Sequence, residues 1–82
     1  MTVELRDLTF GEKAVGLTFN HGAGEIFEAI DLAKKTCAAT IDQMNTLRSN
    51  SESGEYKALC TIAIRSLQTS QMLMVKAITW KD

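Results

Sequence analysis

Arg65, Gln68 and Thr69 interrupt "CTIAIRSLQTSQMLMVKAITW", residues 60–80, the most apolar stretch of this 82-residue chain. On a helix, positions four apart share a face, so Arg65 and Thr69 stand one above the other, with Gln68 beside them. A guanidinium is a rigid fork of donors that matches a pair of phosphate oxygens, and a hydroxyl one turn away can add a contact. Such a trio can hold a phosphate. The same residues also fit a plain structural reading, in which Arg65 runs its stem over the surface to solvent or pairs with an acid such as Asp42.

Other candidates are equally two-sided. Tyr56 and Trp80 either pack the ends of a hairpin or offer a stacking surface for a base. Phe19, next to Asn20 and His21, is either a loop anchor or an aromatic lid with hydrogen-bonding neighbours. Lys13 reads first as a solvated lysine. Asn20, His21, Gly22 and Gly24 form a loop that leads to a helix N-terminus, where free backbone N–H groups suit an anion.

Catalytic chemistry is not expected. His21 is the only histidine, which excludes metal sites built from several imidazoles. Cys37, Cys60 and His21 lack zinc-ligand spacing, and a Cys–His nucleophile pair would depend wholly on the fold to bring it together. "GEKAVG" lacks the order of a nucleotide-hydrolase phosphate loop, and no parallel sheet is predicted to carry one. No enzyme, metal or cofactor is expected.

Composition narrows the partners. With 45% hydrophobic and 23% charged residues and a net charge of −1, the chain has no broad basic surface for long nucleic acid. A small phosphate ligand stays open, because a few cations converging from different copies suffice. No run of about 18 apolar residues occurs, so no membrane span is predicted. The start, "MTVELRDLTF", lacks a basic region followed by an apolar one, so no signal peptide is expected. The two cysteines are expected to be reduced, buried thiols of a cytoplasmic protein.

The elements that must position these residues are helical. Residues 25–48 carry Ile26, Ile30, Ala33, Cys37, Ile41, Met44 and Leu47 at steps of three and four, one apolar stripe, with Glu28, Asp31, Lys35 and Asp42 on a solvated side. "SNSESG" reads as a polar turn in which Ser53 caps the next helix, residues 54–80. Two long helices joined by a short turn lie antiparallel. The segment 1–24, punctuated by glycines, is expected to hold a short helix over "GEKAVG" and an irregular loop. The fold class is all-α and a single domain.

The second long helix is apolar on two sides. Cys60, Ala63, Ile64, Leu67, Gln71, Met74 and Ile78 trace the stripe expected against the first helix. Leu59, Ile62, Thr69, Leu73, Lys76 and Trp80 trace another that one hairpin cannot cover. A homo-oligomer is expected on that ground.

"ALCTIAIRSLQTSQMLMVKAITW" resembles the closing helix of the helical-hairpin domain of phage anti-CBASS cyclic-oligonucleotide sponges and their anti-Thoeris relatives. The match rests on Ala63-Ile64, Leu67-Gln68-Thr69, Gln71-Met72, Val75-Lys76-Ala77 and Thr79-Trp80. "LRDLTFGEKAVGLTFN" is similar to the N-terminal signature of a small phage branch, with His21 where a proline commonly follows the asparagine. Together the two segments span about half the chain. The resemblance implies a hexamer that binds cyclic dinucleotides, cyclic trinucleotides or cyclic ADP-ribose isomers without cleaving them. By position, Arg65 and Thr69 would line an inter-protomer phosphate pocket, and Lys13, Phe19 and Asn20 would close another. Some members carry a base-stacking tyrosine where this chain has Leu5, so the ligand class stays open among the three.

The competing expectation is a structural or interaction protein, such as a phage assembly chaperone, whose extra apolar face docks a partner helix. Arg65 and Thr69 on an otherwise apolar face separate the two, since a chaperone has no need of them.

Overall fold

The computed structural model describes residues 7–18 and 24–81. Its helices are α1 (Phe10–Ala14), α2 (Gly24–Ser49) and α3 (Gly54–Ile78), and no strand occurs among the described residues. The expected short helix, long hairpin and helix boundaries are all present to within two residues.

Each helix end has a local cause. Thr9 and Glu12 form a capping box: the Glu12 N–H donates to Thr9 Oγ1 (3.1 Å) and the Thr9 N–H donates to Glu12 Oε1 (2.9 Å). α1 then closes at Gly16, whose φ of 62° lies in the left-handed region that glycine enters without penalty. α2 tightens at its end, where the Asn50 N–H is shared between the Thr46 and Leu47 carbonyls. Ser53 caps α3 as anticipated, accepting from the Tyr56 N–H at 3.2 Å. α3 stops at Ile78 because the Thr79 hydroxyl and the Trp80 N–H turn back onto the carbonyls of Val75 and Ala77.

α2 and α3 pack as an antiparallel pair across residues 50–53, and α1 lies against α2. The core forms where the N-terminal segment meets the hairpin: Val15, Leu17, Cys37, Ala38, Ile41 and Ile64 are buried together, with Leu8, Ala14, Met44 and Leu67 packed against them. The apolar stripe of α2 is buried only in its middle. Ile26 and Leu47, at its two ends, are exposed. Asp42 departs from the solvated role expected of it. It is partly buried, and its carboxylate accepts from the Gly11 N–H at 2.7 Å.

That bond fixes α1 on α2. Gly11 is buried, and a Cβ there would collide with the Ala38 carbonyl and meet Asp42 Cγ at 3.0 Å. The close approach therefore requires glycine. Lys34 holds the following turn. It is 95% removed from solvent, and its ammonium donates to the Gly16 carbonyl at 2.9 Å. Burial pushes its pKa below the ordinary lysine value, with Asp31 nearby opposing that shift. Arg48 ties the other end of the hairpin, donating to Asn45 Oδ1 (3.1 Å) and Thr61 Oγ1 (3.0 Å) and lying 5.3 Å from the centroid of the Phe10 ring.

Candidate functional site

The middle of α3 carries Arg65, Gln68 and Thr69 toward the edge of the hairpin nearest α1. Arg65 and Thr69 are exposed, and Gln68 is half-buried. Their connections form a relay. The Arg65 guanidinium donates to Gln68 Oε1 at 3.3 Å, and Gln68 Nε2 donates to the Ala14 carbonyl at 3.1 Å. The two bonds fix the amide's orientation: a flipped Gln68 would set its NH2 against guanidinium N–H groups and its oxygen against a carbonyl. Gln68 thus spans from α1 to the arginine.

Arg65 makes no ion pair among the described residues, so the pairing with Asp42 that its type allowed is not formed. Most of the guanidinium's donors remain directed to solvent. Thr69 is committed differently. Its hydroxyl donates to the Arg65 carbonyl at 3.2 Å, the common back-bond of threonine on a helix. A hydroxyl has one proton, so donating to an anion requires Thr69 to leave that carbonyl, whereas its lone pairs are free at once.

The remaining candidates fall in different places. Lys13 is exposed on α1, one residue before Ala14, whose carbonyl anchors Gln68. Tyr56 is exposed in the first turn of α3, nine positions before Arg65, and is not brought to it within one chain. Phe19, Asn20 and His21 lie outside the described residues, as does the loop they were expected to form. Trp80 is exposed beyond the end of α3, with the Lys76 ammonium 5.9 Å from its ring centroid.

The arrangement has the properties of a contact surface: an oriented cation, a hydroxyl one turn on, and apolar side chains around them. Ile62, Met72 and Leu73, on the same side of α3, are each about 60% exposed. Among the described residues no group of three histidines, cysteines or acids is placed to hold a metal ion. No helix among them is long and apolar enough to cross a membrane. Both cysteines are free and buried, Cys37 with its Sγ 3.9 Å from Met74 Sδ, and burial pushes the Cys37 thiol above its ordinary pKa.

Two functional features escaped the reading of the sequence. Gln68 was grouped with Arg65 by adjacency, but its bond to Ala14 spans 54 positions and leaves no local pattern. Lys34 did leave one: it stands at i+4 from Ile30 and i−3 from Cys37, on the buried stripe itself, at a position where a lysine needs a partner.

Comparison with protein-family models, with curated proteins and with solved structures finds no match.

Proposed function

We propose that this chain is a binding protein that captures small cyclic nucleotides and holds them uncleaved, a sponge for immune signals of CBASS or Thoeris type. The observation that carries this reading is the Arg65–Gln68–Ala14 relay. An exposed guanidinium, unpaired by any acid among the described residues, is oriented by an amide anchored to another helix, in the midst of an apolar face. Orienting a cation before the ligand arrives lowers the ordering cost of binding. A surface arginine with only a solubilising role gains nothing from such a strut.

In this reading Arg65 and Thr69 contact phosphate oxygens, and the apolar side chains around them cover the sugar and base. Lys13, with Phe19 and Asn20, closes a second site. The sites lie between copies in a homo-oligomer, a hexamer by the resemblance, acting in the cytoplasm of an infected host. Ligands are cyclic di- or trinucleotides or cyclic ADP-ribose isomers. No step of bond cleavage is assigned, and sequestration alone starves the effector.

The test is incubation of the protein with each cyclic nucleotide, removal of free ligand, heat denaturation, and identification of what is released. Recovery of intact ligand supports the proposal. A cleaved product would replace it with an enzyme, and retention of none of the three classes would overturn it. That last outcome would favour an interaction hairpin docking a partner helix, a reading supported by the exposed apolar side chains of α3 taken without Arg65.

A further inference from the structure

Leu59, Ile62, Ser66, Thr69, Leu73, Lys76 and Trp80 recur along α3 and just past its end at alternating steps of three and four, and every one of them is exposed. That spacing is the seam of a two-helix coiled coil, which stays in register with a partner helix because it repeats every 3.5 residues. The stripe buried against α2 is a different one, holding Cys60, Ile64 and Gln71. Leu59, Ile62, Leu73 and Trp80 are 57–63% exposed, whereas the corresponding outer side of α2 presents Glu28, Leu32, Lys35, Ala39, Gln43 and Thr46, with Leu32, 67% exposed, its one large apolar side chain. The unpartnered apolar seam belongs to α3 alone.

We infer that this seam pairs with the same seam of a second copy, antiparallel, about a two-fold axis at Thr69. The middle of the seam falls between residues 69 and 70, and the side chains pair about that point. Leu59 meets the second copy's Trp80, Ser66 meets Leu73, and Ile62 meets the stem of Lys76. Of these contacts, Ser66 with Leu73 sets a small side chain against a large one. A parallel pairing would instead stack Lys76 on Lys76, a like-charge contact, and Ser66 on Ser66, an unfilled gap. Charge also favours the antiparallel sense. Glu55 stands in the first turn of α3, with Lys57 two positions on, and Lys81 follows the helix end; in this register Lys81 falls three positions, about 4.5 Å along the axis, from Glu55.

The pairing has a consequence for Arg65. The axis brings the second copy's Arg65 and Thr69 to the same patch, with the two arginines about 14 Å apart along the helices at 1.5 Å per residue. The polar step in the seam is thus its centre, where both copies contribute. This inference specifies the contact behind the oligomer proposed above. It requires no ligand, so it is tested without one.

The experiment uses the full chain in two arms. In the first, light scattering compares the parent with an Ile62→Asp, Leu73→Asp variant, and circular dichroism checks that helicity is retained. Both positions are exposed, so the hairpin itself does not depend on them. The parent is expected as a dimer or an even multiple of it, and the variant as a monomer with association weakened at least about 100-fold by buried, unpaired charge. In the second arm, single cysteines are introduced and oxidised. Thr69→Cys is expected to cross-link to itself, whereas Leu59→Cys is not, because its two copies sit about 32 Å apart, beyond the roughly 7 Å Cα limit of a disulfide. A monomeric parent overturns the inference. So does an oligomer untouched by the double substitution, which would leave the oligomer reading standing on another face. Self-cross-linking of Leu59→Cys overturns the antiparallel sense.

Discussion

Gln68 reaches from the middle of α3 to the Ala14 carbonyl at 3.1 Å, and the same amide accepts from Arg65. One side chain therefore does two things: it satisfies the end of α1 and it aims a cation. These roles separate on mutation. Removing the amide leaves the arginine charged but unheld, so an effect on affinity that outlasts an intact fold reports orientation rather than charge.

Arg65→Ala is expected to abolish binding of at least one cyclic nucleotide, a loss of about 2 to 5 kcal/mol for truncating a desolvated charged contact. Lysine at this position should rescue poorly, having the charge without the planar fork. Gln68→Ala should fall between parent and Arg65→Ala in affinity and lower stability by about 1 kcal/mol for its hydrogen bond. Titration calorimetry with denaturant unfolding on the same samples checks all three. If Arg65→Ala binds as tightly as the parent, the site lies elsewhere.

Thr69→Val is expected to weaken binding by about 1 kcal/mol or less, because only a neutral hydrogen bond goes. The present bond of Thr69 to the Arg65 carbonyl makes the loss smaller still, since that bond must break before the hydroxyl can donate to a ligand. The same calorimetry measures it. A loss as large as that of Arg65→Ala would show that Thr69, rather than the arginine, organises the site.

The hairpin was legible in the sequence because its causes are local or periodic. The stripe through Ile30, Cys37 and Ile41, the Ser53 cap and the absence of proline are all read without knowledge of the fold. What sits on the hairpin was less so. Asp42 lies on a polar face by spacing, yet it is bound because α1 folds over that face, a contact between residues 31 apart. Arg65 and Thr69 were legible as a pair, but the strut that orients the arginine was not. The ends of the α2 stripe misled for the opposite reason: periodicity continues to Ile26 and Leu47, but the segment that covers the middle does not reach them.

Gly11→Ala is expected to destabilise the protein by about 1 to 3 kcal/mol, the usual range for overpacking. The added methyl meets backbone, the Ala38 carbonyl, which cannot swing aside as a side chain can. Gly54→Ala, where an added Cβ meets nothing, serves as the control and should change stability little or raise it slightly. Urea midpoints decide it. Equal midpoints for the two variants would mean α1 does not sit on α2 in solution.

No intramolecular disulfide should form between Cys37 and Cys60. Cys37 lies against Met74, fourteen positions and about 21 Å along α3 from Cys60, well beyond disulfide reach. Mass spectrometry of protein prepared without reductant should find both thiols free, and alkylation of the native protein should be slow because both are buried. Cys37→Ala is expected to cost roughly 1 kcal/mol as a small buried group and to leave ligand choice unchanged.

Lys34 gives the fold a pH dependence of definite sign. Its pKa is lowered in the folded chain from the ordinary 10.5, by burial first, with Asp31 opposing. Between the lowered value and 10.5 the unfolded chain binds more protons than the folded one, so this group's contribution to stability rises with pH and levels off above the unfolded pKa. Cys37 acts in the opposite sense. Its raised pKa means the folded chain holds a proton longer, so its contribution falls as pH climbs above the ordinary thiol value of 9.0. The raw profile mixes the two, and Lys34→Met separates them. Methionine keeps the apolar stem and removes the titrating group, while Cys37 is common to both proteins. The variant is expected to be less stable by about 1 kcal/mol, having lost the bond to Gly16, and the parent's advantage over it should widen as pH rises toward 10.5. Denaturant unfolding at several pH values between 7 and 10.5 measures that difference. A constant difference across the range would mean that Lys34 titrates alike in the folded and unfolded chains, and a narrowing one that its charge is stabilised in the fold.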